Sequence, residues 1–81
     1  MTEIINNIRK EIDKIDDEIA ELIEKRVNIA KKIVSLKRVD GKDIEDIQRE
    51  NNIILRITCN KKTANLIENI FRRIFRWVKN H

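Results

Sequence analysis

Residues 3–38 read EIINNIRKEIDKIDDEIAELIEKRVNIAKKIVSLKR, thirty-six residues without a proline or a glycine. Their apolar side chains keep a seven-residue period. Ile5, Ile12, Ile19 and Ile33 occupy one core position; Ile8, Ile15, Leu22, Ile29 and Leu36 occupy the other. The stretch therefore predicts one unbroken helix. At 1.5 Å per residue it is roughly 54 Å long. A compact chain of 81 residues has a radius of gyration of about 12 Å. The helix must protrude from any monomer and carry its isoleucines into water. A second copy would cover them, and two-fold closure lays the two long helices antiparallel.

Beyond residue 38 the stretch V39-D40-G41-K42 ends the helix, with Gly41 as the expected left-handed cap. Asp43 is expected to cap a second helix over residues 44–60, with Asp46 in its acidic first turn. The polar stretch N60-K61-K62-T63 reads as a loop, with Thr63 capping a third helix over 64–79. That helix carries a stripe of Leu66, Ile67, Ile70, Phe71, Ile74, Phe75 and Val78. The fold expected is all-α: residues 1–81 form a single domain of three helices, paired as an intertwined antiparallel homodimer.

Composition narrows the class. A chain this small buries only about 60% of its unfolded surface and leans on disulfides, a metal or a partner. Cys59 is the only cysteine and His81 the only histidine, so no intrachain disulfide or zinc cluster is expected. No apolar run approaches the ~20 residues that span a bilayer, and no signal-peptide core opens the chain. These features predict a soluble, cytoplasmic protein with no membrane partner. A net charge of +4 suits an anionic ligand.

One residue breaks the heptad. Along Ile5, Ile12, Ile19 and Ile33, position 26 is an arginine. The ordinary explanation is a core arginine bonded to a nearby acid, or a polar residue that sets register. The alternative is an anion site. Lys37 lies eleven residues on, close to three turns, and so shares the face of Arg26. If antiparallel helices cross near residue 20, position 9 of one chain falls opposite position 31 of the other. Arg9 would then join Arg26 and Lys37 in each of two identical pockets. Three converging cations repel one another and need a negative ligand. In the stretch GKDIEDIQRE, residues 41–50, Asp46, Arg49 and Glu50 fall at i, i+3 and i+4 and would close the same pocket. Glu50 could accept a hydrogen bond from a ligand hydroxyl. The ligand implied is small, with more than one carboxylate and at least one hydroxyl.

Reactive groups are scarce. No internal histidine serves as a general base, and no Ser-His or Cys-His pair or glycine-rich phosphate loop is present. Cys59 reads as a small packing residue, His81 as a frayed terminus and Trp77 as packing at the edge of the third helix. An enzyme of these parts works by positioning and fixed charge, which suits a unimolecular rearrangement of a flexible polyanion.

The chain resembles the all-helical chorismate mutases. The resemblance rests on I8-R9-K10-E11-I12-D13-K14-I15-D16, L22-I23-E24-K25-R26, Lys37 and D46-I47-Q48-R49-E50, spaced without a gap from Arg9 to Glu50. The apolar register of the third helix fits as well, so nearly the whole chain is covered. The specificity lies in the combined spacing, since single motifs such as R-E carry none. The resemblance implies an isomerase of aromatic amino acid biosynthesis, on the shikimate pathway. It converts chorismate to prephenate by a Claisen rearrangement, without cofactor or metal. By similarity, Arg26 and the other chain's Arg9 hold the two carboxylates. Lys37 bonds a carboxylate and the ether oxygen. Glu50 takes the ring hydroxyl with Asp46 nearby, Arg49 supports that end, and Ile33 and Phe75 are apolar walls. The family's usual second ether-oxygen donor, a glutamine one turn beyond the position of Val78, would fall at residue 82, after His81. Val78 itself stands where the family often has a small polar residue. Lys79, four residues after Phe75, is the expected substitute donor.

Three other readings remain open on these residues. An isochorismate-pyruvate lyase would keep the fold and a similar cationic pocket. A basic helical dimer could bind nucleic acid through Arg72, Arg73, Arg76 and Lys79, although a solvated face explains that strip and no helix-turn-helix is evident. A purely structural coiled coil gives no reason for Arg26.

Overall fold

A computed structural model describes all residues, Met1–His81, as three α-helices and no strands. Helix α1 runs Thr2–Val39, α2 Ile47–Thr58 and α3 Ala64–Asn80. The molecule is elongated, 59 × 25 × 16 Å, with a radius of gyration of 16.6 Å. That exceeds the value for a compact chain of this length because α1 extends well past the other two helices.

Helix α1 stops where left-handed backbone becomes available. Gly41 adopts φ +68°, its N–H donates to the Arg38 carbonyl, and the Lys42 N–H donates to the Lys37 carbonyl. This paired closure satisfies two of the last carbonyls of α1. Helix α2 starts three residues later than the sequence predicts. Asp43 does not cap it; its Oδ1 accepts the Glu45 N–H and closes a local turn. Asp46 is the cap instead, with Oδ1 accepting the Arg49 N–H at 2.9 Å. Both carboxylates have the same capping chemistry. Residues 43–45 lie off the helical path, and the intervening Ile44 is half-buried in the wall of a cavity described below. Asn60 carries φ +58° just past α2, a conformation asparagine tolerates. Thr63 precedes α3 at the cap position but makes no side-chain capping bond.

The buried core is small: Val34 from α1, Ile53 and Ile54 from α2, and Ile74, Phe75 and Val78 from α3. Ile57 and Phe71 pack against its centre. Helix α3 packs on both α1 and α2, whereas α1 and α2 do not pack on each other. A gap therefore lies between α1 and α2 with α3 as its floor. The heptad stripe of α1 is left out of this core. Its apolar members from Ile5 to Leu36 remain 44–66% exposed, an apolar strip along one face of the helix, broken at Arg26, of the kind that marks an interaction surface.

Two smaller expectations differ, those for Cys59 and His81. Cys59 is exposed, because α2 ends at Thr58 and the cysteine follows the last packed turn. Trp77 is also half-exposed and stacks on His81, with ring centroids 3.8 Å apart. His81 is thereby tied down, and its N–H donates to the Trp77 carbonyl. No helix is long and apolar enough to cross a membrane.

Candidate active site

The gap between α1 and α2 is an open-sided cavity of about 160 Å³. Helix α1 lines it with Arg26, Ile33 and Lys37, the cap and first turn of α2 with Asp46, Arg49 and Glu50, and α3 with Phe75, Val78 and Lys79. These nine are residues that the sequence nominates for the site, and the fold brings them to one cavity. The tenth, Arg9, is not there. It lies seventeen residues before Arg26 on the same helix, roughly 25 Å along the axis.

Four apolar lining residues escape the sequence reading: Ala30, Val34, Ile44 and Ile53. Ala30 and Val34 follow Arg26 at i+4 and i+8, so the helical period could have found them. Ile53 stands three residues after Glu50 and is equally periodic. Ile44 lies in the turn before α2, where no period applies.

Electrostatics set Arg26 apart. Its guanidinium carbon sits 5.3 Å from the Phe75 ring centroid and 5.6 Å from that of Phe71. These two rings meet edge to face at 6.3 Å. The faces of both aromatics attract the cation. No carboxylate pairs with it: the ion pairs of the chain are Arg72–Glu68, Lys79–Glu45 and Lys79–Glu50. Partial burial, then the nearby charges of Arg49 and Arg56, lower the Arg26 pKa from its ordinary value. The guanidinium keeps its proton all the same. Arg56 is a neighbour that the sequence reading misses. It follows Arg49 by seven residues, two turns on the same face, and that spacing was the available signal. Arg26 is thus a half-buried cation among cations, without a protein counter-ion.

The opposite end of the cavity is paired. Lys79 Nζ lies 2.6 Å from Glu50 Oε2 and 3.3 Å from Glu45 Oε1. Burial works to lower the ammonium pKa, but the hydrogen bonds and charges of Glu50 and Glu45 outweigh it, and the pKa is raised. A base whose folded pKa is raised adds stability that is present in full below its unfolded value, ~10.4. That stability is lost only as pH climbs through the higher folded value. At neutral pH the pairing is intact. Asp46 is committed locally, since one oxygen already accepts the Arg49 N–H.

On α3, the strip considered for nucleic acid is partly spent. Arg72 bonds Glu68 and the Asn51 side chain, and Lys79 faces the two glutamates. Only Arg73 and Arg76 remain outside ion pairs.

The chain is thus a small three-helix domain with a cavity between its first two helices, lined by the cations Arg26, Lys37, Arg49 and Lys79 and the acids Asp46 and Glu50. Residues 8–81 match the family described as chorismate mutase type II. Over 81 residues, all of this chain and 82% of the relative, the sequence is 40% identical to a protein of Methanocaldococcus jannaschii named "Chorismate mutase". No solved structure matches the chain. The chain belongs to the chorismate mutase type II family, and chorismate mutases are isomerases.

Proposed function

We propose that this chain rearranges chorismate to prephenate in two identical cavities, each completed by a second copy of the chain. The observation that carries the reading is Arg26. It stands at a core position of the heptad, lines the cavity and has no carboxylate partner. Its missing counter-ion is the substrate.

The exposed stripe of α1 supports the dimer. Pairing two antiparallel α1 helices hides isoleucines that otherwise face water, each methylene gaining ~0.8 kcal/mol on burial. A crossing near residue 20 brings Arg9 of the partner subunit opposite position 31, between Arg26 and Lys37. That places a further cation at the open side of the cavity.

The reaction needs no proton transfer. The ether C–O bond breaks as a C–C bond forms within one molecule, through a cyclic transition state. Arg26 and the partner's Arg9 hold the two carboxylates and keep the substrate folded, which supplies proximity. Lys37 bonds a carboxylate and the ether oxygen. That oxygen gains negative charge as the bond breaks, so its donor stabilises the transition state more than the ground state. Glu50 accepts the ring hydroxyl beside Asp46, Arg49 supports that end, and Ile33, Phe75 and Val78 form apolar walls. Lys79 is the second donor to the ether oxygen.

Two assays test this. Purified protein is expected to consume chorismate, with prephenate as the sole product, and to release no pyruvate from isochorismate. Pyruvate from isochorismate without chorismate turnover would assign the lyase reaction instead. Lys79→Met is expected to slow turnover by ~10²–10³, the usual cost of one preorganised donor. Unchanged kcat would remove Lys79 from the reaction.

A further inference from the structure

The donor assigned to Lys79 is a long, flexible ammonium, and something must aim it. We infer that Glu45, in the turn between α1 and α2, is a positioning residue that holds the Lys79 ammonium at the cavity wall; this rests on the function proposed above. Glu45 does not line that cavity, and it lies 34 residues from Lys79 in sequence. The two meet because the turn before α2 folds back over the last turn of α3.

Two carboxylates are needed for a geometric reason. An ammonium has three donors with free rotation about the last bond, so one acceptor fixes its distance but not its orientation. Glu50, on α2, supplies the first acceptor at 2.6 Å, and Glu45 supplies the second at 3.3 Å from a different element. With both engaged, rotation stops and one N–H remains for a ligand. The roles of the carboxylates also differ. Glu50 is expected to receive the substrate hydroxyl, and its side chain is only 16% exposed. Glu45 is 55% exposed and has no substrate to serve. It keeps Lys79 anchored while Glu50 accepts a second partner. The other charges around the two cavities that Lys79 borders are Asp46, committed to capping α2, and the cations Arg26, Lys37, Arg49, Arg72 and Arg76. Without Glu45 the repulsion of those cations acts on an ammonium held by one acceptor.

The turn also makes sense of the late start of α2. Asp43 closes the local turn through the Glu45 N–H, which leaves the Glu45 side chain free to reach α3. A helix starting at residue 44 would place Glu45 in its first turn instead.

Because the pair is partly solvated, the expected effect is modest, roughly two- to fivefold in rate. Glu45→Ala and Glu45→Gln are expected to lower kcat by that factor with KM nearly unchanged, and Glu45→Asp to recover part of it. The melting temperature should stay close to wild type, since the side chain is solvent-facing. The deciding comparison is a double-mutant cycle: in a Lys79→Met background the same Glu45 substitutions are expected to change nothing. A loss of equal size in both backgrounds would mean that Glu45 acts by another route, and wild-type kcat in Glu45→Ala would end the proposal outright. A second readout needs no turnover. Side-chain NMR titration of Lys79 is expected to show a lower pKa in Glu45→Gln than in wild type; identical titrations would overturn the contact itself. Wild-type protein inactive on chorismate would defeat the proposed function, and the titration would still decide whether Glu45 holds Lys79.

Discussion

Replacing Arg26 by alanine is expected to cut kcat/KM for chorismate by roughly 10²–10³. Truncating one partner of a desolvated charge pair costs about 2–5 kcal/mol, and each 1.36 kcal/mol is tenfold in rate. Here the lost partner would be a substrate carboxylate. Arg26 has no carboxylate of its own to leave unpaired, so the folded protein loses little. The substitution removes a cation that burial and the charges of Arg49 and Arg56 already disfavour. The measurement is loss of chorismate absorbance, with circular dichroism to confirm that the helices remain. A variant that retains wild-type kcat/KM would show that the cavity is not the catalytic site.

Arg26→Ile sharpens the result, because activity and stability should move in opposite directions. Isoleucine at this position makes the heptad run of Ile5, Ile12, Ile19 and Ile33 continuous and relieves the repulsion among guanidiniums. A gain of about 1 kcal/mol would raise the melting temperature by roughly 4–8 °C for a chain of this size. The cation–π contacts with Phe71 and Phe75 are lost, but apolar packing against the same rings replaces them. Turnover should fall as far as in Arg26→Ala. A more stable, inactive variant is what a binding cation held against stability predicts, whereas a structural arginine predicts a less stable one.

The same residue shows what the sequence could and could not disclose. Arg26 was legible because the heptad sets a strict expectation at its position, and a charge there stands out. Lys37 was legible through its spacing of about three turns from Arg26; Asp46, Arg49 and Glu50 through their i, i+3, i+4 spacing; and Phe75 and Val78 through the stripe of α3. The linker was not. Asp43 and Asp46 are equivalent as caps, and the choice between them falls where Ile44 enters the cavity wall. The Glu45–Lys79 contact was invisible for the same reason: it joins a turn with no period to the end of a helix 34 residues away. Local patterning gives faces of helices, while the ion pairs between them depend on how the chain turns.

A mixture of two inactive variants is expected to regain activity, and that outcome would locate Arg9. In the proposed dimer, Arg9→Ala would spare Arg26 in its own cavity but deprive the partner's cavity of the cation at its open side. Arg26→Ala does the reverse. Each alone should lose roughly 10²–10³ in kcat/KM. In a heterodimer of the two, one cavity pairs an intact Arg26 with an intact Arg9, and the other lacks both. Random exchange makes half of the dimers heterodimers, each with one working site of two, so about a quarter of wild-type activity should return. If Arg9 served its own chain, no combination would build a complete site and the mixture would stay inactive. The reverse experiment is equally informative. A chain carrying both Arg9→Ala and Arg26→Ala, mixed with an equal amount of wild type, leaves no complete site in any heterodimer. Activity per total chain should then drop to about a quarter rather than the half that simple dilution predicts. The two results together would require a dimer and a site shared between chains, because a monomer or an unshared site gives neither.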